Sequence, residues 1–494
     1  MPALLAIDQS TSATKAVLFD ADGRVLDRAS REHRQIYPRP GWVEHNAEEI
    51  WQNVLAAIRE VASRNPEHVS RLACLCLTNQ RETILVFDRK TGHPLGNAIV
   101  WQCRRGESVC QTLRQRGLEE LVRFRTGLKL DTYFSASKLK WLLEHQPELA
   151  TKLKSGEAVA ATIDAYLLHR LTHGAVFATD HTNASRTLLF DISKLQWDEQ
   201  LCELFGVPPK ALPEVRESAA HFGETDANGL LPRRVPVCGV MGDSQASLFA
   251  QRCFQPGMAK ATFGTGTSLL LNIGSTFRLS ERGAVTALAW VWKGQPTYAF
   301  EGLINYSAAT LNWLKDQLGL IQSAAEAEAL ASSIPDNGGV YLVPAFAGLS
   351  APYWAPNARA AIVGLTSFTR REHLVRAAEE AIAYQIRDVL EMMRNDSNVR
   401  LQTLHADGGP TRDRFLMRFT ADIAGVELKV SEVPESSAWG AAMNGLLGLG
   451  LHKSLNELAL LPRASESFHP EMKPELVEGN YAGWKQAVNQ VLQR

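Results

Sequence analysis

The sequence predicts an α/β protein with two domains. Strand-like apolar runs alternate with segments whose apolar residues recur at helical spacing. The chain has 494 residues, which is too many for a single hydrophobic core. One pattern also occurs twice, from residue 3 and from residue 235: an apolar run, an aspartate, small polar residues and a second apolar run. We therefore expect two domains built on one plan, with a boundary near residues 245–255.

The elements follow in chain order. Residues 3–27 are typical of three strands joined by turns, with a hairpin signal at Asp22-Gly23. Helical spacing predicts helices over residues 47–64 and 136–149. A strand then ends at Asp243, and a helix and two further strands follow it. Helices are predicted over residues 305–320 and 373–393, and residues 404–425 read as strand, glycine turn and helix.

Composition excludes several classes of partner. The 52 basic and 53 acidic residues leave a net charge of −1, so we expect no nucleic-acid partner. No apolar run approaches a membrane span, and no leader segment is recognisable at the N-terminus, so no membrane insertion is expected. The seven cysteines show no metal-binding spacing, which favours reduced thiols in a cytoplasmic protein.

Three loops of small polar residues follow predicted strands and could bind phosphate. They are "DQSTSATK" (8–15), "FGTGTS" (263–268) and "ADGGPTRDRF" (406–415). Backbone N–H groups in such loops converge on phosphate oxygens, although a single loop of this kind is usually an ordinary turn. The chain has no P-loop motif, and Leu269 occupies the third glycine position of a dinucleotide-binding motif.

Asp8 and Asp243 each end an apolar run near such a loop. A kinase needs one carboxylate near Mg²⁺ and another that accepts the proton of the substrate hydroxyl. Alternatively, each aspartate caps a helix or a turn. A serine hydrolase is a further alternative, because residues 242–246 read G-x-S-x-A and Asp407 and His469 follow in triad order. Ala246 in place of glycine, and the proline-flanked position of His469, argue against it.

Four residues are candidates for contact with a polyol. Arg81 and Glu82 are either a surface pair or a clamp that offers a donor and an acceptor to neighbouring hydroxyls. Trp101 and Tyr133 belong either to the core or to the wall of a cleft, where they would pack on the carbon atoms of the polyol.

Long stretches of the chain resemble glycerol kinases, which are members of the FGGY carbohydrate kinase family. The resemblance runs from about residue 4 to the end, and residues 133–143 and 360–380 resemble the two family signatures. The quoted stretches are "DQSTSATKAVLFD", "QIYPRPGWVEHNAEEIW", "TNQRETILVFDRKTGHPLGNAIVWQCRR", "TDHTNASRTLLFD", "VPAFAGLSAPYW" and "DGGPTRDRFLMRFTADI".

The resemblance implies two actin-like, ribonuclease-H-like ATPase domains that flank a catalytic cleft. Residues 1–250 would hold the acceptor, the first phosphate loop and the catalytic base, and residues 251–494 would bind the nucleotide. It also implies transfer of the γ-phosphoryl group of ATP, with Mg²⁺, to a primary hydroxyl of glycerol or a related polyol. Apart from the resemblance, we expect a homo-oligomer, either a dimer or a tetramer.

The resemblance assigns roles to individual residues. Asp243 matches the general base and Asp8 the residue near Mg²⁺. The acceptor positions are Arg81, Glu82, Trp101, Tyr133, Asp243, Ser244 and Ser268. The nucleotide positions are Thr11, Ser12, Lys15, Thr265, Ala308, Asn312, Gly409 and Asp413.

Several of these positions depart from the family pattern. Ser244 stands where Gln is usual and Ser268 where Phe is usual, and both changes remove volume from the acceptor site. A kinase for a larger tetritol, tetrulose or pentulose is therefore an alternative to a glycerol kinase. The nucleotide positions depart as well: Lys15 replaces Arg, Ala308 replaces Gly and Asp413 replaces Asn.

Two alternatives come from other functional classes. The first is an actin-like ATPase that binds partner proteins, and the second is a sugar-sensing pseudokinase. Asp243 is present and no basic DNA-binding arm is recognisable, so we expect an active kinase.

Overall fold

The computed structural model describes residues 2–431 and 435–493. The strands, numbered in chain order, are β1 (Ala3–Gln9), β2 (Ala13–Asp20), β3 (Val25–Glu32), β4 (Glu44–His45), β5 (Leu72–Asn79), β6 (Ile84–Asp88), β7 (Ala98–Ile99), β8 (Ala158–Thr162), β9 (Ala178–Asp180), β10 (Phe190–Asp191), β11 (Gln196–Trp197), β12 (Glu214–Arg216), β13 (His221–Thr225), β14 (Val235–Gly242), β15 (Met258–Phe263), β16 (Thr267–Gly274), β17 (Val285–Trp292), β18 (Gln295–Ile304), β19 (Tyr341–Val343), β20 (Ala361–Val363), β21 (Thr403–Gly408), β22 (Glu427–Ser431) and β23 (Ser465–Phe468).

The helices, numbered in the same way, are α1 (Ala47–Arg64), α2 (Pro66–Ser70), α3 (Glu107–Gln115), α4 (Glu119–Thr126), α5 (Ser135–His145), α6 (Pro147–Ser155), α7 (Ile163–Leu171), α8 (His181–Ala184), α9 (Glu199–Phe205), α10 (Asp243–Ala250), α11 (Ala308–Asp316), α12 (Ala324–Ser332), α13 (Arg371–Ser397), α14 (Arg414–Ala424), α15 (Ser436–Gly448), α16 (Leu455–Ala459) and α17 (Pro474–Leu492). Short 3₁₀ turns cover Pro209–Ala211 and Gly409–Arg412.

Two large mixed sheets share one plan. The first has the order β13-β14-β5-β1-β2-β3, in which β1 runs antiparallel to β2 and parallel to β5. The second has the order β17-β18-β16-β15-β21-β22-β23, in which β15 runs antiparallel to β16 and parallel to β21. The α/β class with a repeated unit is thus present, with helices covering the sheets.

The structure corrects one expectation about the pattern that occurs twice in the sequence. The pattern that starts at residue 235 was expected to match the first strand of the chain, but β14 pairs in parallel with β5 and belongs to the first sheet. The true counterparts are β1–β2 and β15–β16. The pairing was wrong because apolar strands that end in polar residues look alike locally, whereas their partners are decided by backbone hydrogen bonds to distant strands.

The parallel strands bring the candidate residues to one edge of the first sheet. Asp8 lies opposite Thr78, and Gly242 lies opposite Asn79. The segments that follow β5 and β14 therefore start side by side, next to the carboxylate of β1. In the second sheet, Thr262 lies opposite Asp407, so the loops after β15 and β21 also meet.

A smaller sheet, with the order β4-β7-β6-β8, packs with α3, α5, α6 and α9 around a separate core. This subdomain carries Trp101 and Tyr133 toward the candidate site. One of its helices differs from expectation, because the predicted helix 136–149 is divided into α5 and α6 at Gln146. Pro147, the next residue, has no N–H to continue the first helix but suits the start of the second.

No helix in residues 2–431 and 435–493 combines the length and apolar character needed to cross a lipid bilayer.

Candidate active site

A cavity of about 370 Å³, which we call the acceptor cavity, contains all the residues predicted to contact the polyol. Its walls come from both halves of the chain. Eight of the residues predicted from sequence line it: Thr11, Arg81, Glu82, Trp101, Tyr133, Asp243, Ser244 and Ser268.

Arg81 and Glu82 lie in the turn between β5 and β6, and both are buried. Adjacent residues on a strand would point to opposite faces, but Glu82 has a φ of 63° in the left-handed region. This strained backbone lets both side chains line the same cavity, as is common at binding sites. The alternative of a surface pair is therefore wrong.

Two residues not predicted from the sequence complete a buried ion network. Arg81 Nη2 lies 2.8 Å from Glu301 Oε1, and Arg186 bonds both Glu82 and Glu301. Burial opposes ionisation of Glu301, but Arg186 and Arg81 together lower its pKa to about 2. Such a network holds its charges only because every member has a partner, and it fixes the orientation of the Arg81 and Glu82 side chains.

Asp243 is the first residue of α10 and lies beside this network. Its Oδ1 accepts the backbone N–H of Ser244 at 2.6 Å and lies 3.3 Å from Arg81 Nε. Gly242 permits this approach, because a Cβ at this position would lie 2.8 Å from Arg81 Cγ. The Asp243 side chain is about one-third exposed and faces the acceptor cavity, so a substrate hydroxyl can reach it.

Hydrogen bonds fix the positions of the two aromatic residues in the wall of the acceptor cavity. Trp101 Nε1 donates to Thr11 Oγ1 at 3.0 Å, and the Trp101 and Tyr133 rings lie 5.2 Å apart. The buried Lys138 ammonium donates to the carbonyl oxygens of Thr132 and Tyr133 at 2.6 and 2.8 Å. These bonds fix the backbone that carries Tyr133.

A second cavity of about 760 Å³, which we call the nucleotide cavity, lies beside the first. Asp8, Lys15 and Gly409 line it, as does Asp407. Lys15 Nζ lies 2.6 Å from Glu435 Oε2. Burial raises the pKa of Asp8 to about 7; Lys15 lowers it, while Asp243 and Glu435 add to the rise. Ser437, which lines the nucleotide cavity, donates to the Asp243 carbonyl oxygen at 3.1 Å, so Asp243 lies where the two cavities meet.

The remaining residues predicted to bind nucleotide do not line this cavity. Thr11 lines the acceptor cavity, while Ser12, Thr265 and Asn312 are exposed. The loop after β15 is joined to α11, since the N–H of Ala308 donates to Gly264 at 3.1 Å. Asp413 caps α14 by accepting the N–H of Leu416 at 2.8 Å and is buried.

Asp413 has a buried neighbour that its predicted role did not anticipate. Glu379 of α13 is fully buried beside the Asp413 carboxyl, and neither of its carboxyl oxygens has a hydrogen-bond donor among the described residues. Burial and Asp413 raise the pKa of Glu379, and burial raises that of Asp413 to about 6. Asp413, one of the departures from the family pattern, therefore forms a buried carboxyl pair with Glu379.

The serine hydrolase alternative is wrong. Neither Asp407 nor His469 lines the acceptor cavity that holds Ser244. Asp407 instead accepts hydrogen bonds from Ser247, Gln251 and Ser436, and His469 is exposed.

Some signals for the missed residues were present in the sequence. Lys129 also lines the acceptor cavity. Glu301 interrupts an apolar strand, Lys129 stands between leucines, and Arg186 lies within the stretch "TDHTNASRTLLFD". A charged residue in such a place is often paired or at a site, but the sequence does not show with which partner.

Comparison with known proteins now identifies the family. Residues 3–250 match the N-terminal domain, and residues 259–449 the C-terminal domain, of the FGGY family of carbohydrate kinases. The chain belongs to the FGGY carbohydrate kinases. The predicted family, two-domain kinase fold and kinase class are confirmed, and the chain is a phosphotransferase that acts on an alcohol group.

Individual FGGY kinases are similar over almost the whole chain. Glycerol kinase 1 of Thermotoga maritima is 47% identical over 489 residues, covering 99% of both proteins. The glycerol kinase of Carboxydothermus hydrogenoformans is also 47% identical, covering 98% of this chain and 97% of that protein. The structure of Plasmodium falciparum glycerol kinase with ADP has a TM-score of 0.95 at 35% identity, covering 100% of this chain and 98% of that one.

The fold extends to kinases with other acceptors. The xylulose kinase of Lactobacillus acidophilus has a TM-score of 0.89 at 19% identity, covering 100% of this chain and 99% of that one. At this identity the likeness shows the fold alone.

Proposed function

We propose that this FGGY kinase transfers the γ-phosphoryl group of ATP to a primary hydroxyl of glycerol or a closely related polyol. The observation that carries the proposal is the position of Asp243. Asp243 lines the acceptor cavity, and its backbone carbonyl accepts a hydrogen bond from Ser437, which lines the nucleotide cavity together with Asp8. An acceptor hydroxyl next to Asp243 therefore faces the place from which a phosphoryl group would arrive.

Asp243 acts as the general base. The acceptor oxygen attacks the γ-phosphorus, its proton passes to the Asp243 carboxylate, and the bond to the bridging oxygen of ADP breaks. Arg81 and Glu82 bind the neighbouring hydroxyls as donor and acceptor, while Trp101 and Tyr133 pack on the carbon chain. The buried network keeps these groups in place before the acceptor binds, which lowers the cost of orienting it.

Asp8 would hold Mg²⁺, directly or through water. Its carboxylate faces the nucleotide cavity and receives no hydrogen bond from the described residues, and a carboxylate of this kind is a ligand that Mg²⁺ prefers. Bound Mg²⁺ would neutralise charge on the phosphate oxygens. Lys15 and Gly409 would contact the phosphates from the same cavity, and Thr11 and Ser12 would contribute from the first loop.

The predicted roles of Thr265, Ala308, Asn312 and Asp413 also remain proposals. The first three lie in a loop and a helix joined by hydrogen bonds and would contact the nucleotide together. Asp413 would act indirectly, by capping the helix that follows the nucleotide-cavity turn Gly409–Arg412.

Substitution of the base tests the proposal. We expect Asp243→Asn to lower kcat for glycerol phosphorylation by about 10²–10⁴-fold while ATP binding, measured by calorimetry, is retained. The same change at Asp316, which is exposed on α11, serves as the control and should leave both unchanged. Full phosphoryl transfer by Asp243→Asn would disprove the role of the base.

The other classes of function are disfavoured by the same cavity. An actin-like ATPase needs no polyol cavity with a base, and a pseudokinase needs no Asp243 in contact with Arg81. Transfer of phosphate to any acceptor, rather than ATP hydrolysis alone, would exclude both.

The remaining features of the enzyme are also proposals. Residues 1–250 and 251–494 would form its two domains, the second contributing most of the nucleotide cavity. The free, buried cysteines suit a reducing, cytoplasmic setting. A homo-oligomer, either a dimer or a tetramer, would cover Leu365 and Phe368, which are both exposed beyond β20. Analytical ultracentrifugation would give its size.

A further inference from the structure

We propose that Lys129 and Ser268 form a second group of acceptor-binding side chains, which takes the additional hydroxyls of an uncharged polyhydroxy chain of four or five carbons. The inference rests on the proposed kinase function and names the class of its acceptor. Lys129 lies in the N-terminal half and Ser268 on β16, and both line the acceptor cavity.

The cavity has room for such an acceptor. Glycerol has six non-hydrogen atoms, which occupy at most ~180 Å³ if each takes the ~30 Å³ of a water molecule in the liquid. Four-carbon and five-carbon polyols, with eight and ten such atoms, occupy at most ~240 and ~300 Å³. The cavity measures about 370 Å³, so glycerol would fill at most about half of it, and a five-carbon polyol would still fit.

Ser268 offers a polar atom that the protein does not use. Its Oγ is buried and has no hydrogen-bond partner among the described residues. A buried hydroxyl without a partner costs free energy, and a hydroxyl of an acceptor bound in this cavity would supply the partner. A methylene chain or an empty space would not.

Lys129 offers a charged donor at the same cavity. Its Nζ lies 2.8 Å from the centre of the Trp354 ring, and no carboxylate within the described chain forms an ion pair with it. Burial, and to a smaller extent Arg123, lowers the pKa of Lys129, whereas Asp131 and Glu119 raise it. The resulting pKa is about 8. The half-buried ammonium can therefore donate hydrogen bonds to acceptor oxygens without first leaving an ion pair.

Trp354 closes this part of the cavity from the C-terminal half. Its φ of 48° is unusual for a bulky residue. Its indole ring packs so closely on Gly283 that a Cβ at position 283 would lie only 2.2 Å from Trp354 Nε1. Lys129, Gly283 and Trp354 all line the acceptor cavity. An acceptor that reaches Lys129 would therefore contact both halves of the protein. Strained backbone, like that of Trp354, is common where a protein clamps a ligand.

The charges of the cavity favour a neutral acceptor over an acidic one. Its walls carry three cations and four carboxylates: Arg81, Lys129, Arg186, Glu82, Asp131, Asp243 and Glu301. An aldonate or a sugar phosphate would add negative charge to a site that already has an excess of one. Hydroxyl and ketone oxygens suit the mixture of donors and acceptors without that cost.

An acceptor panel with the full-length enzyme tests the inference. The panel contains glycerol, erythritol, threitol, erythrulose, xylulose, ribulose and gluconate, each assayed with Mg-ATP for the phosphorylated product. We expect a neutral four- or five-carbon acceptor to have a kcat/KM at least tenfold above that of glycerol. We expect gluconate to be a poor acceptor.

Three variants and a control locate the effect. Lys129→Met and Ser268→Phe should each lower the ratio of kcat/KM for the best long acceptor to that for glycerol by about tenfold or more. The milder Ser268→Ala should lower it about threefold. Lys140→Met, which removes a lysine that pairs with Glu144 on α5 outside the cavity, should leave the ratio unchanged. The ratio is independent of how much of a variant folds.

The outcomes separate the two proposals. Glycerol as the best acceptor, or a ratio that Lys129→Met and both Ser268 variants leave unchanged, would overturn this inference while the kinase function stands. If no acceptor of the panel, glycerol included, is phosphorylated, the proposed function itself fails.

Discussion

Asp8→Asn is expected to stabilise the nucleotide-free protein at pH 8 and to remove most of its kinase activity. Asp8 is only 8% exposed. Burial raises the pKa of its carboxyl from 3.8 to about 7; Lys15 opposes this rise, and Asp243 and Glu435 add to it. An asparagine at this position has no charge to desolvate or to be repelled, but it is a poor ligand for Mg²⁺.

The sign and size of the effect follow from proton linkage. Between about pH 4 and pH 7 the folded state keeps a proton that the unfolded state has released, so stability falls as the pH rises; above pH 7 the full cost is present. A difference of about 3 pKa units at ~1.4 kcal/mol per unit sets a ceiling of about 4 kcal/mol. Because the carboxylate faces a cavity that opens to solvent, we expect about half of this ceiling. A gain of ~2 kcal/mol raises the melting temperature of a domain of this size by about 4–8 °C.

Thermal unfolding of both proteins from pH 5 to pH 8.5, without nucleotide or Mg²⁺, measures the effect. The difference in melting temperature should grow with pH, and at pH 5 about two-fifths of the pH 8 value should remain. Asp22→Asn, in the exposed turn between β2 and β3, is the control and should change neither stability nor activity. An equal shift at every pH, or a loss of stability above pH 7, would refute the reasoning.

Two further predictions concern the backbone and the carboxyl pair. Gly242→Ala places a Cβ 2.8 Å from Arg81 Cγ, so Arg81 must shift and kcat/KM should fall by about 10²-fold. Gly96→Ala, where a Cβ meets nothing within 4 Å, is the control. An unchanged kcat/KM for Gly242→Ala would contradict the prediction. Glu379→Gln replaces an acid of raised pKa by an amide that donates to Asp413. The free energy of unfolding should therefore rise by about 1–3 kcal/mol at pH 8. It should change little at pH 5, where the acid already holds its proton. Denaturant unfolding at the two pH values measures this gain, and a loss of stability at pH 8 would show that the pair is not strained.

Local patterns in the sequence were sufficient for several elements. The apolar spacing predicted a helix over residues 47–64, and α1 spans Ala47–Arg64, with Asn46 accepting the N–H groups of Glu48 and Glu49. A helix of this kind depends on its own spacing and cap, which are local properties. The strand that ends before Asp243 was also found, but its sheet was assigned wrongly, because pairing depends on residues far away in sequence.

The acceptor residues were predicted by resemblance, and their placement has a simple physical cause. Arg81 and Asp243 converge because β5 and β14 are parallel neighbours that end at the same edge. Glu301 and Arg186 were missed as members of this site, since their partners lie more than a hundred positions away along the chain.

The sequence by itself determined the α/β class, the family and the residue types of the site. These depend on short-range periodicity and on long stretches that resemble other FGGY kinases. Only the tertiary structure decided which charges are paired. Lys15 binds Glu435, Glu379 meets Asp413, and the Ser268 hydroxyl has no partner in the described chain. Burial and distance set the protonation and the hydrogen bonding of such groups, and both quantities arise only when distant segments pack together.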